Sequence, residues 1–298
     1  MTDDDTTETT DELEVAIAGL AGVSLDALHV AVTVAPRGGD VEETTSMVAA
    51  LSHREPVRWE VRGDYHEWIV ALIGDRDGRP LAVTADGALR VGAGPDGRRY
   101  PLPARRGLAA VWCADDGTIL VCGPGALGRV RLGAGRIAID VTDDDGPGEP
   151  LAVAGPGAVD GAIAVGTHGA LWRLDGDEWI AHETPAREAL VDVAWHPGGV
   201  AYVVGADGGV YAWDGRGLRE LARTPGAAWT SIACWRDDVY LVNARRGVWR
   251  LVDGAPVAWK ALPVTRVRAV ADHLFAWGGT LLARHDGAGW WGGPLHLP

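Results

Sequence analysis

An all-β fold built from a repeated four-stranded unit is what the sequence predicts, on three observations. The stretch from Val191 to Gly254 writes one pattern twice, as VDVAWHPGGVAYVVGADGGVYAWDG and CWRDDVYLVNARRGVWRLVDG. In each copy an apolar run crosses a tight turn into a second apolar run. A Gly-bearing turn then leads into an alternating run that ends in Asp-Gly. Second, the Gly-x-apolar motif at the start of that third run recurs. Its closing residues are Leu89, Leu127, Leu171, Val210, Val248 and Leu281, spaced by 38, 44, 39, 38 and 33. Third, helix signals are nearly absent, and short connections make successive strands antiparallel neighbours. Four strands in about 40 residues, repeated, hide their faces by closing into a ring, the β-propeller arrangement.

Taken in order, the chain opens with MTDDDTTETTDE, which holds six acidic residues and no basic one. Such a segment cannot bury enough apolar surface to offset its ordering entropy. Residues 1–12 are therefore expected to form a disordered tail, with docking onto a basic partner as the functional alternative. Apolar or alternating runs follow at 13–20, 28–35, 47–51 and 57–61. The last two, within SMVAALSHREPVRWEVRG, superpose on the later GVWRLVDGAPVAWKALP. Residues 13–64 thus read as a divergent first blade, which gives seven blades of four antiparallel strands. A small cap on a six-bladed ring is the competing arrangement. Residues 65–298 supply six clearer blades, all within one propeller domain spanning 13–298. Asp-Gly turns are expected to be type I′, with positive φ supplied cheaply. Fourth strands carry Tyr100, Trp179, Trp259 or Trp290. The 14 Trp are expected to fill the wedges between sheets, with indole N–H groups partnered at the rim.

Net charge is −14, with 41 acidic against 27 basic residues, so the chain repels phosphate backbones and nucleic acid is not an expected partner. No apolar run reaches the roughly 18 residues of a membrane span. The acidic start is the opposite of a secretory signal. These features predict a soluble, cytoplasmic protein with reduced thiols. Cys113, Cys122 and Cys234 form no disulfide framework. A two-residue turn at Asp116-Gly117 would pair Cys113 with Leu120 and Cys122 with Val111, on one face but too far apart for an unstrained bridge.

With these turns in hand, the chain resembles the broad superfamily of bacterial β-propellers related to WD-repeat, YVTN and quinoprotein-type repeats. The resemblance covers about residues 65–298 and rests on widespread turn motifs. The Trp-Asp ending of WD repeats occurs once, at Trp213-Asp214, without its Gly-His partner. The Ser-x-Asp-x-Gly-x-Thr-Trp box of sialidase-like propellers is missing. No family's functional residues carry over. The resemblance implies a binding surface on the face bearing the second-to-third-strand turns and the interblade loops. It also implies, for divergent acidic bacterial propellers, company with ATPase and von Willebrand-type partners in conflict systems.

No two His share metal-ligand spacing, no Ser sits in a nucleophile elbow, and no Gly-rich phosphate loop ends in Lys. Thr142 to Gly146 lacks the spaced ligands of an EF-hand and reads as a solvated acidic loop. No catalytic residue, metal or cofactor is expected. The loop face would gather Tyr65, Arg105, Arg106, Arg187, Trp229, Arg245 and Arg246 as interface candidates, beside His66, Asp143, Asp144, His168, Glu188, Asp207 and Arg266. Arg and aromatic residues dominate interface hot spots. The expected function is a non-catalytic scaffold binding a protein partner. The alternatives are a carbohydrate or small-molecule binder, and a lyase or hydrolase with a channel site. Because residues 1–12 carry no apolar face, deleting them is expected to leave the melting temperature unchanged; a large drop on thermal denaturation would show that they are packed.

Overall fold

The computed structural model describes residues 13–37, 43–53, 58–103, 107–133, 136–143 and 147–295. The predicted tail, Arg105, Arg106 and Asp144 lie outside these residues. Seven four-stranded antiparallel sheets follow one another along the chain, so the seven-blade arrangement is the correct one. Blade one is a full sheet, formed by Leu13–Ser24, Ala27–Pro36, Thr45–Ser52 and Arg58–Tyr65. In every blade the first strand packs against the first strands of its two neighbours. These strands, which include Ile69–Gly74, Leu190–Trp195, Trp229–Trp235 and Arg266–Val270, ring the axis. They run in one sense, from the face of the interblade loops to the opposite face.

The core is divided among the seams between blades. Between blades four and five, Ile163, Val165 and Leu171 meet Val193, Tyr211 and Trp213. Between blades six and seven, Trp235, Tyr240 and Leu274 pack with Trp259 and Trp290. The rings of Tyr240 and Trp259 lie 4.9 Å apart, and those of Trp259 and Trp290 lie 5.3 Å apart. Trp does fill the wedges, but its N–H groups often find no rim partner. Those of Trp172, Trp213, Trp229, Trp249 and Trp277 have no acceptor among the described residues. Burying an indole removes about 200 Å² from water, about 5 kcal/mol at about 25 cal/mol/Å². That exceeds the roughly 1–3 kcal/mol cost of one unmade hydrogen bond.

Ring closure is made without exchanging a strand. The Ile17 amide donates to the Gly279 carbonyl at 2.9 Å, and Ile17, Leu20 and Leu28 pack on Phe275, Trp277 and Leu282. His53 lies buried in this seam, edge-on to Phe275 at 5.6 Å. Burial, reinforced by the nearby Arg284 charge, pushes its pKa down to about 4.

Two turn expectations need correction. At Asp86-Gly87 and Asp207-Gly208 only the Gly has positive φ, at 86° and 89°. Each Gly N–H closes a turn onto the residue three before it, Thr84 or Gly205. Asp253-Gly254, at φ 49° and 79°, does have both central residues left-handed. Elsewhere Asp serves the turn as an acceptor: the Asp214 carboxylate takes the amides of Arg216 and Gly217 at 2.9 and 3.1 Å. The turn after Cys113 is also longer than expected. Cys113 pairs with Ile119, and Cys122 with Ala110. The odd-length loop puts the two cysteines on opposite sheet faces, in different core clusters, and both thiols are free.

Gly208 and Gly215 share φ 89°, but a Cβ on Gly208 would lie 2.2 Å from the Thr224 carbonyl oxygen while Gly215 faces open space. Gly215→Ala is therefore expected to cost about 1–2 kcal/mol from backbone strain alone. Gly208→Ala should cost clearly more, about 3 kcal/mol or above, because the loop must also shift. Urea titrations of both variants check this, and equal losses would refute the steric account.

His53 generates a pH dependence. Its folded pKa of about 4 lies below the unfolded 6.5, so the unfolded chain takes up the proton first. Stability should fall as pH drops from 6.5 to 4, by about 3 kcal/mol at most from this group. His53→Leu should flatten that fall in urea titrations across the window; an unchanged slope would assign it elsewhere.

Candidate functional site

Two regions bring chemistry together, the loop face and the axial channel. On the loop face, Arg187, Arg245 and Arg246 are exposed and have no ion-pair partner among the described residues. Arg266 is exposed at the channel mouth, and its guanidinium donates to the Thr230 carbonyl at 3.2 Å. Tyr65 is half-buried and tied into blade two. Its hydroxyl accepts the Gly94 amide at 3.0 Å, and the Arg90 guanidinium sits 3.9 Å above its ring. Trp229 is not a surface residue. It is 1% exposed, edge-on to Trp249 at 5.6 Å, in the seam with Val204 and Val210. As the first residue of an inner strand it points into the seam, so it is no contact surface. Trp68, in the loop between blades one and two, is 40% exposed and lies on this face instead.

Carboxylates fix two of the loops. Glu188, two residues before its inner strand, accepts from the Tyr211 hydroxyl at 2.7 Å and from Arg223 at 3.0 Å, and its other oxygen takes the Asp207 amide. Burial and the Glu188 bond raise the Tyr211 pKa. Glu67 stands at the equivalent place in blade two and pairs with Arg90, the counterpart of Tyr211. These are positioning groups, held by the blade itself. Beside them a groove of about 480 Å³ is lined by His168, His182, Glu183, Thr184 and Arg187. Among the described residues no group of three His, Cys, Asp or Glu is placed to hold a metal ion.

The opposite face is different in charge. Its turns carry Asp75, Asp77, Asp115, Asp116, Asp175, Asp177, Asp253 and Asp286, against Arg76, Arg79, Arg216 and Arg236. Aspartate outnumbers arginine on these turns, while Arg187, Arg245 and Arg246 sit on the loop face.

The channel encloses about 470 Å³ between the inner strands. Strand registers set its levels. Asp192, Ser231 and Arg266 occupy equivalent positions in blades five, six and seven, where the earlier blades place Gly19, Ala71, Ala110 and Ala152. Two residues deeper, Arg268 stands level with Ala21, Ala154, Ala194 and Ala233. The Asp192 carboxylate accepts the Ser231 hydroxyl at 2.8 Å and the Ile232 and Val193 amides at 3.0 and 2.9 Å. Arg268 reaches past blade one to the Leu72 carbonyl at 3.1 Å. Burial lowers its pKa, partly offset by Asp192. Of these channel groups the sequence expectations named Arg266, as a loop-face residue, but not Asp192, Ser231 or Arg268. Their signal was a polar residue on an inner strand where most other repeats carry Ala or Gly.

No family model matches the sequence, and no curated protein matches it. Solved structures do. One is virginiamycin B lyase from Staphylococcus aureus, 13% identical, covering 89% of this chain and 95% of that one at a TM-score of 0.65. Another is a chain of the Mitotic Checkpoint Complex, 12% identical, covering 92% and 88% at a TM-score of 0.68. The chain is a β-propeller. The same fold thus serves a lyase and a component of a multi-protein complex, so function has to be argued from the site. No helix among the described residues is long and apolar enough to cross a membrane.

Proposed function

We propose that this propeller is a non-catalytic interaction module that binds an acidic surface or segment of a protein partner through its loop face. The observation that carries this reading is the set of exposed arginines, Arg187, Arg245 and Arg246, without ion-pair partners among the described residues of a chain whose net charge is −14. An acidic protein has carboxylates to spare, and leaving these guanidinium groups unpaired keeps them available to a partner. Arg supplies bidentate pairing to carboxylates and ranks among the residues that dominate interfaces. Exposed Trp68 adds an aromatic anchor on the same face. Buried Glu188 and half-buried Glu67 hold the loops in place, which lowers the ordering cost of binding. The likeness to a chain of a multi-protein complex supports the reading at the level of fold.

Arg187→Ala, Arg245→Ala and Arg246→Ala combined are expected to abolish capture of the partner from host lysate while the thermal melt stays unchanged. The side chains are exposed and unpaired, so their loss should change stability by no more than about 0.5 kcal/mol. Capture by the parent should also weaken with added salt. Undiminished capture by the folded triple variant would overturn the assignment.

A further inference from the structure

We propose that the axial channel is a second binding site, for a small monocarboxylate, anchored by the guanidinium of Arg268. The site is independent of the loop-face reading. It starts from an imbalance between two charged groups. Asp192 is well satisfied, with two amides and the Ser231 hydroxyl already donating to it. Arg268 is not. A guanidinium offers five N–H donors, and the one protein acceptor this side chain has among the described residues is the Leu72 carbonyl. No carboxylate lies within 4 Å of it among those residues, and the side chain is half-buried in the channel. A half-buried cation with no carboxylate in contact has lost part of its hydration, and an incoming anion in direct contact offsets that loss.

The surroundings select the kind of anion. The free edge of a guanidinium matches a carboxylate in a two-pronged pair. Arg266, the other channel cation, is exposed at the mouth and engaged with Thr230. Arg268 is thus the half-buried cation of the channel and stands close to the negative Asp192, which disfavours a phosphate dianion. Most of the lining side chains are apolar, with Ala21, Ala194, Ala233 and Trp112 at the level of Arg268 and Trp195 one residue deeper, while backbone groups make much of the exposed wall polar. Trp195 spends its indole N–H on the Ala154 carbonyl at 3.1 Å, which leaves no donor from it for a polar ligand. A volume of about 470 Å³ lies within the range of small-molecule sites. The small residues at the axis thus make the space, and Arg268 makes the anchor.

The test uses the full chain, phenylacetate as the probe and phenylacetamide as its uncharged counterpart, with calorimetry and Trp fluorescence as readouts. Phenylacetate is expected to bind and to change the fluorescence of the channel tryptophans. Phenylacetamide should bind at least about tenfold more weakly, the worth of one charge-assisted pair. Arg268→Gln should lose phenylacetate by a similar factor, Arg268→Lys should lose less, and the loop-face triple variant should bind as the parent does. If Arg268→Gln does not fold, Ala194→Leu decides, because it narrows the channel while keeping the anchor, and it should weaken binding. Four results would each overturn the proposal: no phenylacetate binding up to about 10 mM, equal binding of the amide, tighter binding of inorganic phosphate, or undiminished binding by folded Arg268→Gln or by Ala194→Leu.

Discussion

At the axis of the ring the inner strands of blades one and two approach so closely that a Cβ on Gly19 would sit 2.5 Å from the Leu72 amide nitrogen and 2.7 Å from its carbonyl oxygen. Closure of seven sheets imposes this crowding, and the composition of each blade follows from it. Residues near the axis must be small, and the widening seams outside must be filled by large groups. That is why Ala and Gly recur on the inner strands while Trp172, Trp213, Trp235 and Trp259 occupy the seams. Interiors are close-packed, so neither end of this taper tolerates the other's residues. The same constraint leaves an open lumen, because small residues cannot fill it. An arginine there can reach across blade one to blade two, as Arg268 does.

Much of this architecture was legible in the sequence because it is written in turns, and turns are local. Gly87, Gly169 and Gly208 mark the second-to-third-strand turns, and all three have positive φ. Even the divergent first blade could be read, since its strands keep the alternation that one buried face demands. What could not be read depends on register or on closure. An assumed turn length shifted the pairing of Cys113 and Cys122 by one residue and so moved one of them to the other face. Trp229 looked like a loop aromatic, but it stands one position inside a strand and points into a seam. Asp192, Ser231 and Arg268 lie on three different blades, and only the closed ring brings them to one lumen.

The two carboxylates that brace the loop face show how a divergent repeat keeps a function of position while changing its chemistry. Glu67 pairs with Arg90 where Glu188 bonds Tyr211, at equivalent places in blades two and five. Glu188 also takes the Asp207 amide and is deeply buried, while the half-buried Glu67 is held through arginine side chains, so each ties its loop to the blade. The arginines exposed around them are free of such duties. Rigid support beneath and unspent charge above is the arrangement expected where recognition has to happen without rebuilding the loop.

The separation of charge between the two faces has an effect well beyond either surface. With aspartates gathered on the turns at one end of the axis and Arg187, Arg245, Arg246 and Arg266 exposed at the other, charge is spread unevenly along the direction of the channel. A body with charge so spread turns in the field of a charged neighbour before it touches it, and acidic partners meet the arginine end first. Along the channel the same unevenness makes the aspartate end the costlier one for a small anion to approach. At physiological ionic strength this orienting pull acts over about 8 Å, so it governs the last approach and the rate of productive encounter.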